Sequence, residues 1–274
     1  MAFIMEKSLS DNSVYWESFY ARYRFPSMKE LGFSNVKRAE LEIVGQPTIL
    51  NGLRELINDF WAEYSAATPG AKRNPKYGVT GTESIEYVDG VLKVRAFQMD
   101  YATTVFSSDR RGEHYTYLLT ESERNFLQNK LATLGVIGIT QNHSGNYLIG
   151  TKAGTRITGG LKEPLPMGMI DPHKTPNGFD PFMSGLLNEL NEETGLYLRD
   201  VEEIKPTHFS IGMSYGDFAL ISDVKLRPGA EEHVKISQEH TDATFMAPDE
   251  IRSLSRYVMN PVLVGSLTAK GVYE

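Results

Sequence analysis

The stretch from Asp180 to Leu196 constrains this chain more than any other. Asp180-Pro181 starts a helix in two residues, because an Asp N-cap accepts from orphan amides and Pro at the first helical position gives up no bond. Gly195 stops the same helix. At about 100° per residue, Phe182, Met183, Leu186, Leu187 and Leu190 share an apolar arc of about 140°. Glu189, Glu192 and Glu193 fall beside that arc at spacings of three and four, with Gly185 leaving space in the same sector. Three adjoining carboxylates repel one another unless cations hold them. Hard divalent cations with oxygen ligands answer that need, and Mg²⁺ so held bridges phosphates, activates water and neutralises a leaving phosphate. A Glu-Glu pair on a helix is, taken alone, more often a solvated face.

The rest of the composition closes off other routes. Among 274 residues there is no cysteine, which removes disulfide scaffolds, thiolate zinc sites and cysteine nucleophiles. Lys and Arg number 28 against 35 Asp and Glu, a formal charge of -7, which argues against a nucleic-acid coat. No window approaches the ~18 uninterrupted apolar residues of a membrane span, and the N-terminus lacks a signal-peptide pattern. The expectation is a soluble, cytoplasmic protein with neither nucleic-acid nor membrane partner.

Periodicity organises the chain into two parts. Val14–Arg24 suits a short helix with inward aromatics. Leu53, Leu56, Ile57, Phe60 and Tyr64 recur at helical spacing behind Asn51 as a candidate N-cap. Asp89-Gly90 between Ser84–Tyr87 and Val91–Phe97 is a hairpin signal. Thr120 with Glu123 forms a capping box opening a helix with Phe126, Leu127, Leu131 and Leu134, closed by Gly135. Strands follow at Val136–Thr140 and Tyr147–Thr151, with shorter ones around Arg156–Thr158 and Gly168–Ile170. Ile204–Ile211 and Asp217–Val224 continue the β pattern, and Asp249–Ser255 and Val262–Ala269 suggest two closing helices. The boundary is expected near the helix after Thr120, giving an N-terminal α+β domain over 1–120 and a second domain over 121–274.

Leu187-Asn188-Glu189-Leu190-Asn191-Glu192-Glu193-Thr194-Gly195-Leu196 resembles the core of the Nudix box, G-x5-E-x7-R-E-U-x-E-E-x-G-U with U aliphatic. Leu165-Pro166-Met167-Gly168 looks like that family's Pro-Gly-Gly strand start. Asp180 stands at the first acidic position, with seven residues between it and Asn188. The match departs in three places: Asn188 replaces the arginine, Asp180 the first glutamate, and eleven residues rather than five separate Gly168 from Asp180. A neutral Asn188–Asp180 pair in place of the family's charged one is the expectation that follows.

The resemblance implies an α/β/α sandwich around a mixed sheet and hydrolysis of phosphoanhydrides. By position it makes Glu189, Glu192 and Glu193 catalytic carboxylates and Mg²⁺ or Mn²⁺ ligands, with the Gly168 carbonyl as a further ligand. Glu231, Glu232 and Glu239 are candidates for a general base in a later loop. The overall layout is loosely similar to Nudix hydrolases of UDP-glucose and UDP-galactose. That favours a nucleoside diphosphate-sugar, split to a nucleoside monophosphate and a sugar 1-phosphate in an interdomain cleft. Lys152, Arg156, Tyr101 and Thr103 are the candidate substrate-binding residues, with Thr104 and Lys162 beside them, and a homodimer is allowed. The alternatives are another diphosphate such as ADP-ribose, a nucleoside triphosphate, or a catalytically silent nucleotide-binding module. Gly159-Gly160 reads as a turn, His173 as an exposed loop residue, and the six histidines show no pair at metal-ligand spacing.

Overall fold

The computed structural model describes residues 32–108, 115, 117–153, 159–176, 178–211, 217–255 and 258–273. In chain order its main elements are β1 Gly32–Ser34, β2 Arg38–Ile43, α1 Thr48–Gly52, α2 Arg54–Ala67, β3 Pro75–Thr80, β4 Ile85–Val88, β5 Val91–Asp100, α3 Tyr101–Ser108 and α4 Glu121–Asn129. They continue as β6 Leu131–Gln141, β7 Tyr147–Lys152, β8 Lys162–Pro164, β9 Met167–Met169, α5 Pro181–Thr194, β10 Val201–Ile211, β11 Asp217–Leu226, β12 His240–Met246, α6 Pro248–Arg252 and α7 Pro261–Ala269. Among the described residues, no helix is long and apolar enough to cross a membrane.

The strands form one mixed sheet with the path β1-β10-β11-β6-β3-β5-β2. β6 is its axis: it runs parallel to β11, while its other edge is shared along its length by β3, β9 and β7, all antiparallel to it. β7 carries β8 and β12 on its flanks. On one face, Phe182, Leu186 and Leu190 of α5 join a core with Leu134, Val136, Phe209 and Leu220. On the other, Ile137, Ile139, Ile149 and Ile221 pack with Ile251 of α6 and Leu263 and Leu267 of α7. This is the expected α/β/α arrangement around a mixed sheet. β6 alternates between the two cores because successive strand residues point to opposite faces.

Local chemistry explains most of the elements. Asp89 and Gly90 both take positive φ, 52° and 87°, as a tight hairpin turn requires, and β4 and β5 pair across them. Thr120 accepts from the Glu123 N–H while the Glu123 carboxylate accepts from the Thr120 N–H, so the capping box is complete. Two expectations fail here. Leu131 and Leu134 are not helical: α4 stops at Asn129 and a strand begins at Leu131, because a continuous buried run suits a central strand as well as a helix. Asn51 lies inside α1 rather than capping α2, whose N-cap is Leu53. The expected helix at Val14–Arg24 and strand at Arg156–Thr158 lie outside the described residues.

Position 120 marks no break in the sheet. β3 pairs with β6 at Gly78↔Thr133, Val79↔Ala132 and Thr80↔Leu131, and β1 pairs with β10. Val79, Leu92, Val94 and Ala96 belong to the same core as Leu134, Phe182 and Phe209. The helices of the first part cover a separate cluster, in which Phe60, Phe97, Phe106 and Leu131 meet.

Candidate active site

The expected carboxylates are held by the two ends of one helix and one short strand. Asp180 caps α5 by accepting from the Phe182 N–H at 2.9 Å, and Gly195 ends it at φ 70°. Between them, Phe182, Leu186 and Leu190 are pinned in the core, which turns Glu189 and Glu193 toward β9. The Met167 N–H donates to Glu193 Oε2 at 2.9 Å. A Cβ built on Gly168 would overlap the Glu189 carboxylate, so glycine is what lets strand and helix approach this closely. The Gly168 carbonyl lies over Gly135, where a side-chain carbon would stand only 2.9 Å from it.

Burial shapes the electrostatics. It pushes Glu189 up to about 7, with the neighbouring Glu192 adding to the rise. It pushes Glu193 up to about 9, against the pull of the Met167 amide. The residues around these acids supply the cations. Lys174, in the short turn Pro172–Lys174, is ion-paired with Glu192. Burial works against the Lys174 charge, but Glu192 outweighs it and leaves the amine above its usual range. Lys76 on β3 is lowered by burial, and Asp171 and Glu189 act against that lowering. Its strand lies beside the Pro172–Lys174 turn. Lys76 belongs to no sequence motif; the pairing of β3 with β6 is what brings it to the acids.

Asn188 has a different partner from the one expected. Its side-chain N–H donates to the Lys174 carbonyl at 3.1 Å, while Asp180 is occupied with the helix cap. The two do not form a pair because α5 separates them by eight residues, more than two turns. Asn188 instead ties the inserted loop to the helix, and Lys174 of that loop reaches Glu192 one turn on.

Of the candidate substrate residues, Lys152 lies beside the acids and opposes the rise of Glu193. Lys152 sits against two acids, 3.3 Å from Glu163 Oε1 and 2.8 Å from Glu239 Oε2. Glu239 also helps to raise Glu189, which brings it near the cluster; Glu231 and Glu232 lie in the short turn Ala230–His233, beside Arg227 and Gly229. Arg156 lies outside the described residues. Thr103 is buried, and its hydroxyl and N–H both donate to Asp100 Oδ1 at 2.9 Å, capping α3. Tyr101 packs edge-on against Trp61. Thr103 does line a cleft of about 300 Å³ with Gln46, Arg54, Asn58, Arg73 and Gln98. All its lining residues fall between 46 and 103, so this cleft belongs to the first part of the chain rather than lying between two domains.

Sequence spacing also missed a tighter group. Among the described residues, the three potential ligands that lie within 4.8 Å of one another are Glu163, Glu193 and His240, all buried. Glu163 and His240 are 77 residues apart and become neighbours only through the strand pairing around β7.

No protein-family model matches the chain, and no curated protein sequence matches it. Solved structures that it resembles include Nudix proteins. The Nudix domain of Shewanella oneidensis NrtR, in complex with ADP ribose, aligns with a TM-score of 0.40 and 13% identity over 58% of this chain and 97% of that one. The MutT protein of Methanosarcina mazei Go1 gives 0.36 and 18% over 50% and 90%. A C. elegans Ap4A hydrolase binary complex gives 0.36 and 16% over 50% and 96%. Likenesses of this degree say nothing of substrate.

Proposed function

We propose that this chain is a Nudix-type hydrolase of phosphoanhydrides that works with a divalent cation. The observation that carries the reading is that α5 lays the Glu189 carboxylate against Gly168 and the Glu193 carboxylate on the Met167 amide, with Glu192 near enough to raise Glu189. The donors are all hard oxygens, and two of the carboxylates are pushed toward the neutral form by burial, so a small divalent cation fits them. Bound there, Mg²⁺ or Mn²⁺ would supply charge neutralisation at the diphosphate and a more acidic water.

The chain's own residues do the rest. Lys76 and Lys174 offset the negative charge of the entering diphosphate. Glu239, exposed at the start of β12 and held by Lys152, accepts the proton of the attacking water as its oxygen bonds to phosphorus and the bridging P–O bond breaks. The substrate we infer is a nucleoside diphosphate-sugar, split to a nucleoside monophosphate and a sugar 1-phosphate. The cleft lined by Gln46, Asn58, Gln98, Arg54 and Arg73 offers amide and guanidinium groups for a base and sugar. Pro75 and Met99 line it too, and Met99 is the cross-strand partner of Lys76, so β3 links the cleft to the acids. The first part of the chain would then bring the substrate-binding cleft to the same sheet that carries the acids.

Phosphorus NMR of products from a panel of nucleoside diphosphate-sugars, ADP-ribose, dinucleotides and triphosphates with Mg²⁺ tests both levels. A sugar 1-phosphate with a nucleoside monophosphate is the expected pair. Turnover of triphosphates alone would overturn the substrate, and no turnover with any member would overturn the enzyme.

A further inference from the structure

The Glu163, Glu193 and His240 group is built by a strand register. On β7, Lys152 pairs with His240 of β12, while Gly150 pairs with Glu163 of β8. Because Gly150 has no side chain, the His240 ring lies across it; a Cβ there would stand 2.9 Å from His240 Cδ2 and 2.8 Å from Leu165 Cδ1. His240 Nε2 thereby comes within 2.8 Å of Glu163 Oε1. From the other side, α5 brings in Glu193. Residue exposures of 0% for Glu163, 3% for Glu193 and 5% for His240 leave the group almost without water.

A hydrogen-bonded Glu–His pair backed by Lys152 would be the simplest account. It leaves Glu163 Oε2 buried with no hydrogen-bond partner, which forfeits the solvation of a polar atom with nothing in return. It also leaves a second buried carboxylate, Glu193, at the same point with only one backbone amide. Ser237 Oγ lies 3.4 Å from His240 Nδ1, which orients Nε2 toward the acids, as the outer partner of a metal-bound imidazole does. Lys152 has a second acid in Glu239, so it keeps an ion pair when Glu163 turns to another cation.

We propose that Glu163, Glu193 and His240 form an inner cation site that takes a first-row transition dication, Mn²⁺ or Zn²⁺, through two carboxylates and one imidazole nitrogen. The imidazole sets the preference, since Mg²⁺ and Ca²⁺ take oxygen ligands whereas nitrogen suits the transition metals. Three protein ligands leave a position for water. The site shares Glu193 with the proposed hydrolytic centre, but it rests on the ligand geometry and not on that reading.

The test uses the full chain stripped with chelator. On Zn²⁺ addition, ¹⁵N NMR should show one of the six histidines losing its free imidazole signal at Nε2. Co²⁺ titration should give a visible band, with His240→Asn and Glu163→Gln each weakening Co²⁺ binding by at least about 10–100-fold, the range for groups that only support a ligand. Glu202→Gln, whose carboxylate pairs with the exposed Lys225, should bind Co²⁺ at this site as wild type does. No imidazole change in the wild type, or unaltered Co²⁺ affinity in folded His240→Asn, overturns the inner site. Mg²⁺-dependent hydrolysis without an imidazole change would sink this proposal and leave the hydrolase; an imidazole change without hydrolysis of any substrate would do the reverse.

Discussion

Glu189 and Glu193 carry opposite demands. The core fixes their helix, so Glu193 is buried and Glu189 partly so, yet burial without a cation drives both toward the protonated form. Both have folded values above the ordinary 4.5, so between that value and about 7 to 9 the folded chain binds more protons than the unfolded one. By linkage, their contribution to stability is fully present at low pH and is lost as pH rises through that window. Thermal unfolding of the metal-free protein should therefore show Tm falling from about pH 5 to pH 8, with added Mg²⁺ or Mn²⁺ reversing the fall. Glu193→Gln should flatten the dependence without lowering Tm at neutral pH, since Gln has similar helix propensity, and should abolish most turnover. A metal-free Tm that rises over this range in the wild type would contradict the assignment. Other roles changed when partners became visible: the Thr103 hydroxyl serves Asp100, and Asn188 holds a loop rather than Asp180.

α5 and its entry loop act as a unit. Residues 169–176 fold back so that the Lys174 carbonyl accepts from Asn188 and the Lys174 ammonium meets Glu192. This pairing is half-exposed, so its contribution to stability is small. Its larger effect is on the site, because the ammonium occupies a carboxylate that a cation would use. Lys174→Met should raise divalent-cation affinity severalfold by calorimetry while turnover falls, since the diphosphate loses a positive partner. Unchanged affinity would mean that Glu192 lies outside the metal's reach.

At the scale of the whole molecule, the strands between residues 32 and 100 are part of the sheet that carries the site. β3 occupies the edge of β6 next to β9, and the core under α5 includes Val79, Leu92, Val94 and Ala96. A chain beginning near Thr120 loses these contacts and uncovers Leu134 and Val136. It should fail to fold cooperatively, seen as a loss of near-UV circular dichroism and as aggregates on size exclusion. A soluble, cooperatively unfolding fragment would show instead that residues 121–274 stand as an independent domain.

Local chemistry determined what lies within a few residues: the Asp180-Pro181 start and Gly195 stop of α5, the Asp89-Gly90 turn, the Thr120 capping box, and the spacing that groups three glutamates. These are legible because caps, turns and periodicity act over single turns of chain. The tertiary structure alone decided that Leu131 begins a strand rather than extending a helix, that Lys76 faces the acids, and that Glu163 and His240 meet beside Glu193. Those outcomes depend on which strands pair and in which register, and a register here joins residues 77 positions apart without leaving any local signal.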